Sequence, residues 1–215
     1  MGITMRLLIL GATGRTGRQL LAGALEQGHA VTALVRDMSR LDVQHPALTV
    51  REGAVTDPGA VEAAMQGQDA VLSALGSASP RELLGTELMT VSIRNVTAAM
   101  GHAGVRRIVL LSALGAGESA GFAPRSLRLV FRTAFRAIGR DKAASERILR
   151  ESDLDWTVVY PPQLSDGPKT DACRHGVEMQ VTGMSKVSRA DTAHLMLALL
   201  DDSDSIRRSV SIAAQ

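Results

Sequence analysis

Gly11-Ala12-Thr13-Gly14-Arg15-Thr16-Gly17 is the stretch whose residue types and spacing speak most directly to chemistry. Glycines at this spacing permit a tight turn. They also let a backbone approach a pyrophosphate and let a helix pack closely on a strand. The free amides and dipole of the helix that follows then face the phosphates. The pattern alone is common by chance, and its context gives it weight. Leu7-Leu8-Ile9-Leu10 precedes it as an apolar strand, and Leu20, Leu21, Ala24 and Leu25 follow at helical spacing. Strand, glycine turn and helix predict a dinucleotide-binding unit, with Gly11, Thr13, Gly14, Arg15, Thr16 and Gly17 at the pyrophosphate.

The residue ending the second strand selects the nucleotide. An acid there bonds a ribose 2′-hydroxyl, whereas an arginine accommodates a 2′-phosphate. Strand two ends Val35-Arg36, so Arg36 points to NADP(H), with Arg15, Ser39 and Arg40 able to assist. Asp37 competes, because one residue further on it can reach a ribose; Arg36 is otherwise a solvated strand-end charge. After strand three comes Gly53-Ala54-Val55-Thr56-Asp57, and after strand four Ser73-Ala74-Leu75-Gly76. Small residues there, among them Ala54, Val55, Ala74, Leu75 and Gly76, let backbone amides approach the cofactor, or are merely short loops.

The elements that must position these residues alternate along the chain. Strands are expected at 6–10, 30–35, 48–50, 70–73, 107–111, 156–160 and 210–212. Helices are expected up to Gln27, from Asp57-Pro58 to Met65, over 86–103, 124–138 and 141–151, and from Ser188 to Leu200. Gly28 and Gly104 end helices as left-handed caps, and Ser188 opens one with Asp191 in a capping-box position. This order predicts an α/β fold: a doubly wound parallel sheet of the Rossmann type, one domain over 1–215. Ser165–Lys186, rich in turn formers, is expected as a small substrate-side cap.

The chain has 215 residues, 45% of them hydrophobic, enough for a sizeable core. Its 24 basic and 22 acidic side chains leave a net charge of +2, which gives no sign of nucleic-acid binding. Cys173 is the single cysteine, so no internal disulfide forms, and the histidines have no metal-ligand spacing. We therefore expect no metal. No signal-like stretch precedes the first strand, and no apolar run reaches membrane-spanning length. The expectation is a cytoplasmic protein, monomeric or a small homo-oligomer, acting on a small molecule without nucleic-acid or membrane partners.

The glycine turn, Leu34-Val35-Arg36-Asp37, Gly67-Gln68-Asp69-Ala70-Val71, Arg94-Asn95-Val96, Gly104-Val105 and Tyr160-Pro161-Pro162 together resemble the atypical short-chain dehydrogenase/reductases with an NAD(P)H-binding domain. Within these the chain is most similar to the biliverdin-IX beta reductase/flavin reductase group. The resemblance implies hydride transfer from NADPH to a planar acceptor such as a flavin, a linear tetrapyrrole or a quinone. It places Ser112 in the active site. Two positions depart from the group. Ala54 stands where an aspartate often lies near the adenine, and Gln163 stands where the reductase carries a histidine after the two prolines.

Most short-chain dehydrogenases use a Tyr-x-x-x-Lys pair for proton transfer. Here Ile138 lies four residues before Lys142, and the only tyrosine, Tyr160, ends strand six. Alcohol dehydrogenation is therefore not expected. An electron-poor acceptor protonated from water needs no such acid. Ser112 ends strand five, where ligands meet an open α/β sheet, and can hydrogen-bond the nicotinamide or the acceptor. It has no evident base partner in the sequence and is not expected to be a nucleophile; its alternative role is a strand-end cap. Pro161 and Gln163 are expected beside the cofactor, while Tyr160 either lines the crevice or fills the core edge.

Arg125, Arg128, Arg132, Arg136 and Arg140 fall on one side of a single helix at helical spacing, with Leu127, Val130, Phe131, Ala134 and Ile138 opposite. This is a solvated face, or it meets an anionic substrate, an acidic partner or a membrane surface. Two functions remain: an NAD(P)H-dependent reductase, and a non-enzymatic NADP(H)-binding redox sensor of the NmrA-like kind. The aromatic content of 2% favours the sensor, since flavin pockets usually stack on rings. A nucleotide-sugar epimerase or dehydratase would need the missing tyrosine.

Overall fold

The structure is a computed structural model and describes residues 4–76, 87–170, 172–182 and 185–215. β1 (Arg6–Leu10), α1 (Arg15–Glu26), β2 (Ala30–Val35), β3 (Leu48–Glu52), α2 (Pro58–Met65) and β4 (Ala70–Ser73) form the first half. The second half holds α3 (Leu88–Ala103), β5 (Arg107–Leu111), α4 (Arg125–Arg132), α5 (Arg136–Glu151), β6 (Asp155–Tyr160), α6 (Arg189–Ala198) and β10 (Arg208–Ala214). The expected start of α3 at Thr86 lies outside the described residues.

The eight-stranded sheet has the order β3-β2-β1-β4-β5-β6-β10-β8, parallel throughout except at its last strand, β8 (Cys173–Val177). The doubly wound sheet expected from the sequence is the fold observed. The chain winds from β1 through β2 to β3 and then resumes on the other side of β1 with β4. That reversal opens a crevice at the carboxyl ends of β1 and β4.

β1 explains why the sheet is central. Leu7 and Ile9 pack into one layer with Leu20 and Leu21 of α1 and Leu195 of α6. Leu8 and Leu10 pack into the other, with Val61 of α2, Ile93 of α3 and Leu149 of α5. All four β1 leucine and isoleucine residues are fully buried. A strand buried on both faces needs this unbroken apolar run rather than alternation.

The helix signals behave as expected. Gly28 and Gly104 have φ of +82° and +71°, the left-handed geometry that stops α1 and α3. The Asp57 carboxylate accepts from the Gly59 amide at 3.0 Å. The Ser188 hydroxyl accepts from the Asp191 amide at 2.9 Å.

One expectation is filled in and one needs correction. Among its described residues, Ser165–Lys186 holds strands as well as turns. Its β8 adds the antiparallel edge to the main sheet, while β7 (Gln163–Ser165) pairs with β9 (Lys186–Ser188) as a separate two-stranded sheet. The five arginines also do not share one helix: Arg125, Arg128 and Arg132 are on α4, Arg136 and Arg140 on α5. The break is local. The Thr133 hydroxyl donates back to the Leu129 carbonyl at 2.8 Å, and the Phe135 amide reaches the Val130 carbonyl at 3.0 Å, five residues back. Such bonds compete with the regular helical ladder. Among the described residues no helix is long and apolar enough to cross a membrane.

Candidate active site

The glycine turn is shaped by two close approaches. Gly11 has φ +83°, and a Cβ there would lie 2.7 Å from the Ala74 carbonyl oxygen at the end of β4. A Cβ at Gly17 would lie 2.0 Å from the Gly11 carbonyl oxygen. No side chain fits at either position, so α1 starts directly against β1. Gly14 caps α1 without a side chain to bond, and no acid occupies the first turn. The first-turn amides thus have neither an intrahelical acceptor nor a capping oxygen, the arrangement that receives an anion.

Two cavities share this turn. The first, of about 170 Å³, brings together Gly11, Thr13, Gly14, Arg36, Arg40, Ala54, Val55, Ala74, Leu75 and Gly76. The second, of about 530 Å³, shares Thr13, Gly14, Arg40, Ala74, Leu75 and Gly76, and adds Arg15, Thr16, Ser112, Lys142, Leu164 and Arg189. One continuous crevice therefore runs from the end of β2, past the glycine turn, to the end of β5. It suits an elongated ligand with a diphosphate at its middle, and the residues present fit a dinucleotide.

At the β2 end, Asp37 is tied to Ser39. Its carboxylate accepts from the Ser39 hydroxyl at 2.6 Å and the Ser39 amide at 3.0 Å, capping a short 3-10 turn. These bonds hold its pKa below the usual carboxylate value. Ser39 is committed to the same contact. Arg36 and Arg40 line the cavity, and the Arg18 guanidinium donates to the Arg40 carbonyl, fixing that loop against α1. The Asn95 amide, from α3, donates to the Val55 carbonyl at 3.1 Å and fixes the loop after β3. Arg15 pairs with Asp166 at 2.8 Å, and Arg189 pairs with the same carboxylate at 2.6 Å. Arg15 thus ties the glycine turn to the segment after β7 rather than extending toward Arg36.

The far end holds what sequence reasoning missed. Ser112 was expected to lack a base partner; its hydroxyl instead donates to the Glu146 carboxylate, and the Tyr160 hydroxyl donates to the other Glu146 oxygen at 2.6 Å. Glu146 is 2% exposed, and burial raises its pKa, with the two hydroxyls acting against that rise. Lys142, one turn earlier on α5, lines the cavity beside Ser112, and burial lowers its pKa. Its ammonium has no hydrogen-bond partner among the described residues. Tyr160 is fully buried and belongs to the core edge; burial and Glu146 raise its pKa, while Arg150 donates to its oxygen at 3.2 Å.

The missed signal was helical spacing. Lys142, Glu146 and Arg150 recur every four residues and form one stripe of α5 facing β5 and β6. The frame around them is rigid. The buried Ser119 hydroxyl accepts from the Gly115 amide at 2.9 Å and donates to the Ala116 carbonyl at 2.6 Å, clamping the turn after Ser112.

Pro161 and Gln163, expected beside the cofactor, line neither cavity. The Pro161 carbonyl accepts from the Leu114 amide at 3.0 Å, so the proline braces the loop after β5. Gln163 is exposed on β7, and strand alternation turns its neighbour Leu164 into the crevice instead. Gly17 is also absent from the lining; it acts through the close packing it permits.

The model of the NAD(P)H-binding family matches residues 11–203. A (4-alkanoyl-5-oxo-2,5-dihydrofuran-3-yl)methyl phosphate reductase of Streptomyces griseus is 32% identical over 72% of this chain and 46% of its own length. The chain spans about half the length of the first curated relatives it matches. Among solved structures, an anaerobillin reductase, ChuY of Escherichia coli O157:H7, has a TM-score of 0.80 at 25% identity, covering 97% of each chain. A short-chain dehydrogenase/reductase of Veillonella parvula in complex with NADP has a TM-score of 0.82 over 98% of this chain and 95% of its own; at 21% identity it shows the shared fold.

Proposed function

The chain belongs to the NAD(P)H-binding family, and from that premise we propose that it is an NADPH-dependent reductase passing hydride to a planar, electron-poor acceptor: a flavin, a linear tetrapyrrole or a quinone. Arg36 and Arg40 at the adenosine end support NADPH over NADH, because a guanidinium offers permanent charge and forked donors to a 2′-phosphate. The Asp37 carboxylate already accepts two hydrogen bonds from Ser39.

One observation carries the acceptor class. The only tyrosine is fully buried and bonded to Glu146, so no phenol reaches the cavity to exchange a proton with an alcohol. What reaches it is Ser112, backed by Glu146, and Lys142. The bound dinucleotide supplies hydride. Ser112, its O–H donated in a hydrogen bond to Glu146, turns lone pairs toward the cavity and orients an amide or a ring N–H. Lys142 stabilises negative charge that develops on the acceptor heteroatom. When Glu146 holds a proton, Ser112 can pass one outward to that heteroatom, so the acceptor gains one hydride and one proton. The two named relatives favour a conjugated acceptor, one being a reductase of a dihydrofuranyl methyl phosphate and the other of anaerobillin.

The test is NADPH oxidation over FMN, riboflavin, quinones and biliverdin, alongside equilibrium binding of NADPH and NADH. Turnover on one of these with NADPH preferred is expected. Among the described residues no aromatic ring lines either cavity, which favours the redox-sensor reading. Tight NADPH binding without turnover on any acceptor would establish the sensor instead.

A further inference from the structure

A second opening lies beside the Ser112 end of the crevice. It has a volume of about 870 Å³, and Arg125, Arg128 and Arg132 of α4 line it together with Arg136 and Arg140 of α5. The helix break at Thr133 does not scatter these arginines; it folds them onto one concavity. None of the five has a carboxylate within ion-pair distance among the described residues, whereas Arg15, Arg106, Arg150, Arg189 and Arg207 each have one. The whole chain is close to neutral, so this concentration of charge is local.

The floor of the cleft is apolar and made by missing side chains. α4 has no buried residue and rests on Leu127 and Phe131. A Cβ at Gly115 would come within 3.0 Å of Leu127 and 3.2 Å of Phe131, and one at Gly139 within 3.3 Å of Phe131. Leu129 lines the same cleft although 59% of it is exposed. Guanidinium groups around an apolar floor suit a flat, conjugated body with acidic appendages, since arginine both stacks on rings and forks onto carboxylate or phosphate. The cleft and the crevice have no lining residue in common, but the loop after β5 and helix α5 border both. Ser112 heads the loop whose Gly115 and Gly117 line the cleft, while Lys142 faces the crevice and its helical neighbours Gly139 and Ala143 face the cleft.

We infer that this cleft receives the anionic arms of the acceptor, a planar molecule carrying two or more negative charges as carboxylates or phosphate. This rests on the reductase reading for its position and deepens it by naming the charge of the substrate. A concave site with a glycine floor suits a small molecule better than a membrane plane, which would need a convex face.

The experiment compares matched probes on the full chain and on the Arg128→Gln/Arg132→Gln variant: FMN against riboflavin, and biliverdin against its dimethyl ester. Both equilibrium binding and NADPH oxidation are read. The expected result is a fall of about tenfold or more in the FMN-to-riboflavin and acid-to-ester affinity ratios, the size of one lost charged hydrogen bond or more, with a similar fall in the ratios of kcat/KM. The wild-type preference for the charged probes should weaken as salt rises. Loss of charged-probe binding with no turnover on any acceptor upholds the cleft and removes the reductase reading. Turnover with unchanged ratios overturns the cleft. Arginine-dependent sedimentation with phosphatidylserine vesicles, with the small-molecule ratios unmoved, also overturns it in favour of a lipid surface.

Discussion

The Ser112 hydroxyl donates to the Glu146 carboxylate across the junction of β5 and α5, so the residue at the strand end is backed by a buried acid. Burial keeps that acid protonated to higher pH than an exposed glutamate. If the protonated form feeds the reaction through Ser112, kcat falls as pH rises through the raised pKa. Ser112→Ala should lower kcat by about a hundredfold with little change in NADPH affinity. Glu146→Gln should remove the alkaline limb of the pH profile; an unchanged limb would exclude Glu146 as its source.

The same shift bears on stability. An acid with a raised pKa binds more protons folded than unfolded. Its stabilising contribution is therefore full below the ordinary glutamate pKa and is lost as pH rises through the raised one. Thermal unfolding of wild type and Glu146→Gln between about pH 5 and about pH 8 should show the difference moving in favour of the variant with pH. Lys142, whose pKa burial lowers and Glu146 raises, is coupled to Glu146, so the difference reports the pair rather than Glu146 alone.

Tyr160→Phe separates core from catalysis. The change leaves the ring in place, where it meets Phe122 edge-on with centroids 5.8 Å apart, and removes the bonds to Glu146 and Arg150. A loss of about 1–2 kcal/mol in stability is expected from the two lost bonds, since Glu146 keeps Ser112 and Arg150 keeps Ser209 and Glu118. NADPH oxidation should stay within a few-fold of wild type. Abolished turnover at unchanged melting temperature would return Tyr160 to the chemistry.

Much of this site was legible in the sequence, because a few contacts are local. Gly11 and Gly17 belong to one turn and Arg36 to the end of one strand, so spacing alone made them candidates. The Ser112–Glu146 contact joins residues 34 apart and depends on how α5 lies across the sheet. Lys142 was visible only as the survivor of an incomplete pair. The arginines were read as one helical face, whereas a threonine's back-bond divides them and tertiary packing gathers them again. Gln163 is exposed on β7 while its neighbour Leu164 lines the crevice, because one step along a strand reverses the side chain.

Gly17→Ala tests the turn. Its Cβ would lie 2.0 Å from a backbone oxygen, which no rotamer can relieve. The variant should lose about 10 °C or more in melting temperature, or fail to fold, and any soluble fraction should bind NADPH poorly. Gly101→Ala on α3 has nothing within 4 Å and should be neutral or stabilise by up to about 1 kcal/mol. Equal effects from the two would mean that the glycine turn is not closely packed.

Asp141, the neighbour of Lys142, caps a helix other than its own. Its carboxylate accepts from the Met89 and Thr90 amides, each at 2.9 Å, and from the Thr90 hydroxyl at 2.6 Å, at the start of α3. Glu87, in the capping position of α3, makes no side-chain bond there, so Asp141 supplies the cap from α5. The contact pins α5 beside Lys142 and so sets how far that ammonium reaches into the crevice. Asp141→Ala should cost about 1–2 kcal/mol of stability, and Asp141→Asn less, since a neutral amide still accepts from the same amides. If pinning matters to the site, kcat should fall in step with the lost cap while NADPH affinity stays near wild type. A fall in stability with kcat unchanged would show that α5 holds Lys142 in place through its packing on α3 alone.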